Sequence, residues 1–66
     1  MEELKELVVK LEALVGVIKS DIGRFENENV KAGISIRKNL QEVRMAAGEA
    51  RKIATDKIKE LKSSID

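Results

Sequence analysis

Cysteine, histidine, proline, tryptophan and tyrosine are all absent from this sequence, and Phe25 is its sole aromatic residue. Each absence removes a class of protein. Without cysteine there is no disulfide framework, and without cysteine or histidine the usual zinc sites are excluded. Without histidine there is no imidazole for acid–base chemistry. A chain free of cysteine fits a reducing compartment. No run approaches the roughly 20 apolar residues of a membrane span, and the cluster Leu14 to Ile18 is far too short. The start Met1-Glu2-Glu3 is acidic where a signal peptide would be basic. The expected location is therefore cytoplasmic, with no membrane partner. A lone aromatic also leaves no stacking platform for single-stranded nucleic acid.

What is present is charge, and its arrangement is more informative than its total. The 66 residues carry 13 Lys and Arg against 12 Asp and Glu, a net charge of +1. Residues 1–29 hold seven acids and four bases, whereas residues 30–66 hold nine bases and five acids. The two halves attract one another, and the second is the better candidate for an anionic partner. A chain of this length is one domain, 1–66, and buries too little apolar surface to be comfortable alone.

Apolar residues recur with helical period through both halves. Leu4, Val8, Leu11, Val15, Ile18, Ile22 and Phe25 are spaced 4, 3, 4, 3, 4, 3, with Leu7 and Leu14 widening the seam on one side. This predicts a helix over about 2–26. Asn27-Glu28-Asn29 is the strongest local break, since asparagine tolerates left-handed backbone angles and caps helix starts. Asn27 is expected to end the first helix and Asn29 to cap the second, over about 30–64. The second seam reads Ile36, Leu40, Val43, Ala47, Ala50, Ala54, Ile58, Leu61 and Ile65. Its two consecutive spacings of four around Ala54 predict a stutter that relaxes supercoiling. The small residues Ala46, Ala47, Gly48, Ala50 and Ala54 predict close approach of the helices at mid-length.

The expected fold is all-α: a two-helix antiparallel hairpin that assembles into a four-helix bundle or coiled-coil oligomer. The second helix is longer by roughly ten residues, or about 15 Å, which leaves Ile58, Leu61 and Ile65 without an intrachain partner. Val9 and Val17 lie off the first seam. These five residues are the expected oligomer interface, most simply in a homodimer.

On the second helix Arg37, Arg44 and Arg51 recur every seven residues, and so do Glu42, Glu49 and Asp56. They form a basic and an acidic stripe roughly 140–160° apart. Lys31, Lys38, Lys52 and Lys59 extend the basic side, joined by Lys62 and by the hydrogen-bonding side chains of Gln41 and Thr55. Arginine's planar fork suits phosphate oxygens. The expected partner is DNA, held through its backbone with weak sequence preference, because no base-reading motif accompanies the stripe. The competing reading pairs the arginines with Glu6, Glu12 and Glu26 in bundle salt bridges. It makes the chain a coiled-coil structural or adaptor protein. Gly48 lies between Arg44 and Arg51 on the outer face, as a tolerated surface glycine or as a point of close approach for a phosphate backbone. Glu42, Glu49 and Asp56 are spaced about 10 Å apart along the axis, too far to share a metal within one chain. Nothing here points to catalysis, a cofactor or a small-molecule substrate.

The stretch Phe25-Glu26, Asn29-Val30-Lys31-Ala32-Gly33 and Arg37-Lys38-Asn39-Leu40-Gln41-Glu42 resembles the bacterial linker-histone-like nucleoproteins of the chlamydial type, over roughly residues 20–55. The resemblance implies a DNA-associated role in compacting the nucleoid, with Lys31, Arg37, Lys38 and Arg44 as the matching basic positions. Better-known members add a long lysine-rich tail, whereas this sequence closes on Ser63-Ser64-Ile65-Asp66 and has Met45-Ala46-Ala47-Gly48 where the family is often richer in lysine. A multimer would then supply the remaining charge.

Overall fold

The computed structural model describes residues 1–65, with side chains through residue 63. Helix α1 spans Glu2–Glu26 and helix α2 spans Val30–Ile65, and the two pack against each other as a hairpin. The molecule is rod-like, with extents of 57 × 15 × 13 Å.

The turn owes its shape to hydrogen bonds within residues 23–33. Asn29 N–H donates to the Arg24 carbonyl at 3.2 Å and Glu28 N–H to the Phe25 carbonyl at 2.9 Å. This is the paired bonding of a Schellman ending, which requires one left-handed residue. That residue is Glu28, at φ 65°, and neither asparagine. The asparagines cap instead. Asn27 Nδ2 donates to the Gly23 carbonyl, and Asn29 Oδ1 accepts from Ala32 N–H at 3.2 Å. Beside the turn the Phe25 ring lies over Gly33. A Cβ added to Gly33 would sit 2.7 Å from Phe25 Cε1, so glycine is what allows the ring to lie there.

The contact between the helices is rotated from the sequence-derived seam. On α1 it is made by Leu4, Leu7, Leu11, Leu14, Ile18 and Asp21, all at least half-buried, while Val8, Val15 and Ile22 stay exposed. On α2 it runs through Ala32, Ile36, Asn39, Val43, Ala46, Ala50, Ile53 and Lys57. These are spaced 4, 3, 4, 3, 4, 3, 4, so the expected stutter is absent. Leu40, Ala47, Ile58 and Leu61, expected in the seam, are exposed. The physical reason is one of reach and polarity. Leucines at positions 7 and 14 extend further than the valines at 8 and 15, and the rotation lets Asp21 meet Ser35 and Lys10 meet Glu42. The close approach at mid-length is made by Ala46, only 2% exposed, rather than by Ala47.

The resulting core is thin. Among the described apolar residues only Ala32 and Ala46 are buried, and no large side chain is fully enclosed. Ile58 and Leu61 lie on the end of α2 that outruns α1, and both are exposed. Ile65, expected to continue that surface, lies outside the described side chains. Val9 and Val17 are exposed too, but they fall on different sides of α1, with Val9 on its outer edge.

Candidate nucleic-acid interface

The residues through which α2 meets α1 fix where every other side chain of α2 lies. With Ala46 and Val43 turned to α1, the heptad set Arg37, Arg44 and Arg51 falls on one outer shoulder of α2. Lys31, Lys38, Lys52 and Lys59 fall on the opposite shoulder. Gln41, Gly48, Thr55 and Lys62 run along the outer edge between them. Lys31, Arg37, Lys38, Arg44, Arg51, Lys52 and Lys59 are all exposed. Among the described residues, none of these seven is engaged in an ion pair or side-chain hydrogen bond. Their charge is turned outward, along a helix on which successive arginines are about 10.5 Å apart. Near the turn, Ile34, Arg37, Lys38, Leu40, Gln41 and Arg44 line a shallow open depression.

Glu6, Glu12 and Glu26 do not pair with the arginines. α1's ion pair to α2 runs on the other side of the hairpin, where Lys10 Nζ stands 3.9 Å from Glu42 Oε2. Both side chains are about half exposed, so this pair contributes little, of order 0–1 kcal/mol. Among the described residues, this is the one ion pair that the acidic stripe makes. Glu49 borders a recess shared with Glu3, Glu6, Leu7, Lys10 and Ile53, and Asp56 borders one shared with Glu3 and Glu60. One flank of the hairpin is thus acidic, while the outer surface of α2 is basic. Gly48 has nothing within 4 Å of a built Cβ, so the middle of the basic surface is open.

Hydrophobic spacing alone passes over one group. Asp21 is 5% exposed, and its carboxylate accepts a 2.7 Å hydrogen bond from Ser35 Oγ. Arg24 Nη1 lies 3.4 Å from its other oxygen, and Asn39 Nδ2 donates to Ser35 Oγ at 3.3 Å. A buried carboxylate needs such partners. The signal was in the spacing, because Leu7, Leu14 and Asp21 form a heptad series that a hydrophobic scan breaks off at the acid. The group is structural in character: it joins α1 to α2 in one register.

Among the described residues no cluster of three or more acidic side chains could hold a metal ion. Among the described residues no helix is long and apolar enough to cross a membrane. Comparison with protein-family models, curated proteins and solved structures finds no match.

Proposed function

We propose that this protein binds double-stranded DNA through its phosphate backbone, using the outer surface of α2, and that it does so as a homodimer that helps organise the nucleoid. The observation that carries this reading is the set of seven exposed, unpaired cations on one helix, with the acids held away from its arginine shoulder. Surface cations usually alternate with acids that screen them; here Glu42, Glu49 and Asp56 border the lysine shoulder and leave the arginine shoulder free of acids. Arg37, Arg44 and Arg51 supply bidentate contacts, and Lys31, Lys38, Lys52 and Lys59 supply point charges around them. The sequence resemblance to linker-histone-like nucleoproteins supports the same partner. Binding by backbone charge alone carries little sequence preference, which suits compaction and bridging rather than operator recognition. Such a protein acts in the cytoplasm, at the nucleoid, without a cofactor or a reaction.

Fluorescence anisotropy with two duplexes of unrelated sequence tests this. The wild type should bind both with similar affinity, and Arg37→Ala/Arg44→Ala/Arg51→Ala should weaken both alike. A second reading, an adaptor whose helices grip another protein, is favoured by the thirteen large apolar side chains left exposed among the described residues. It predicts no affinity for either duplex.

A further inference from the structure

The two broad faces of the hairpin differ in chemistry. On the face that carries the Lys10–Glu42 pair, Glu3, Lys10 and Arg24 of α1 lie beside Glu42, Glu49 and Asp56 of α2. In antiparallel heptad packing the opposite face then brings Val15 beside Leu40 and Val8 beside Ala47, with Ile22 nearer the turn and Leu61 on the end of α2 beyond α1. All six are exposed, the three from α1 by 45–46%. This apolar stripe runs along a hairpin whose core, among the described residues, encloses no large side chain.

We propose that a second copy of this chain covers this stripe, turned end for end, with α1 on the partner's α1 and α2 on the partner's α2. The twofold axis runs across the stripe at the level of Val15 and Leu40, which the Lys10–Glu42 and Asp21–Ser35 contacts place at the same height. The inference deepens the homodimer proposed above and rests on it, but it does not depend on DNA binding.

Charge sets the direction. Beside the apolar stripe, α1 carries Lys5, Glu12, Lys19 and Glu26, alternating in sign every seven residues. Rotated end for end about Val15, this row meets itself in register. Lys5 falls opposite the partner's Glu26 and Glu12 opposite the partner's Lys19, and symmetry repeats both pairs. With both turns at the same end, α1 would instead meet the partner's α2. Lys19 would then face the partner's Arg37 and Lys5 the partner's Arg51, leaving Glu12 with the partner's Arg44 as the sole attractive pair. Like charges across an interface reject that arrangement.

Packing agrees with the charge. The end-for-end register sets Val15 on the partner's Val15, Val8 on the partner's Ile22 and Leu40 on the partner's Leu40. It sets Ala47 on the partner's Gly33, where small residues let the α2 helices approach closely. The same register brings Arg37 beside the partner's Arg44 along the α2 seam. That contact is repulsive, and it gathers the cations of both copies around one groove, where a polyanion would relieve the repulsion.

The chain has no cysteine, so single cysteines report this geometry directly. Val15→Cys and Leu40→Cys, treated separately with a short bismaleimide, should each yield a covalent dimer. Val17→Cys, on the other face, should not. Circular dichroism establishes that each variant keeps its helices. Failure of both Val15→Cys and Leu40→Cys to cross-link to themselves overturns the proposal, as does coupling that needs the two variants mixed. By sedimentation, Lys5→Glu/Lys19→Glu should weaken the dimer by about three- to tenfold. Adding Glu12→Lys/Glu26→Lys should restore it, and no recovery would contradict the end-for-end direction. DNA takes no part in these measurements, so their failure and a failure of DNA binding are separable.

Discussion

Glu28 occupies the left-handed position that in a Schellman ending usually belongs to glycine. A side chain with a Cβ pays roughly 1–2 kcal/mol to stand there. Glu28→Gly should therefore raise stability by up to about 1 kcal/mol, read as an upward shift of the thermal midpoint at fixed protein concentration. A drop would mean that Glu28 makes an interaction worth more than its backbone cost. The opposite sign is expected at Ser35. Ser35→Ala removes the 2.7 Å bond to a buried carboxylate and leaves Asp21 with Arg24 alone. The loss should be about 1–3 kcal/mol. An unchanged midpoint would show that water replaces the hydroxyl without penalty. Exchanging Asp21 for leucine is a different experiment, since a buried charge replaced by a packed apolar group is often neutral or stabilising, and its effect should fall on register.

For the elements, the decisive fact is the rotation of the seam. Both helices, their ends and the capping turn were legible in the sequence, because apolar periodicity and the two asparagines encode them locally. The face of each helix that meets the other was not. α1 has a wide apolar stripe, with Leu4, Leu11 and Ile18 at its centre, the Leu7 and Leu14 side on one margin and the Val8 and Val15 side on the other. Either margin extends the centre into a regular heptad, so spacing alone leaves the choice open. What selects the leucine margin is tertiary: side-chain reach, and Asp21 finding Ser35 across the hairpin. On α2 the same rotation moves the tight point from Ala47 to Ala46. Ala46→Leu should then overpack the contact and cost about 1–3 kcal/mol. A higher melting midpoint for Ala46→Leu would place that residue at solvent or beside a void and move the seam back.

At the scale of the whole molecule, the hairpin separates three surfaces along one rod: a basic outer surface on α2, an acidic flank and an apolar face. The basic surface was legible as a heptad of arginines. That it stays unpaired was not, because Glu6, Glu12 and Glu26 offered intrachain partners that only the observed rotation removes from reach. The proposed dimer and the proposed DNA contact use different surfaces of this rod, the apolar face and the exposed cations beside it. The most direct measurement is the dependence of mixed-sequence duplex binding on salt, for the wild type and for Arg37→Ala/Arg44→Ala/Arg51→Ala. The wild type should show a steep negative slope of log affinity against log salt concentration. The triple variant should keep its helical content and flatten that slope by about 0.9 for each phosphate it no longer neutralises. A wild type with no salt-sensitive binding, or a variant whose slope is unchanged, would contradict the assignment of this surface to DNA.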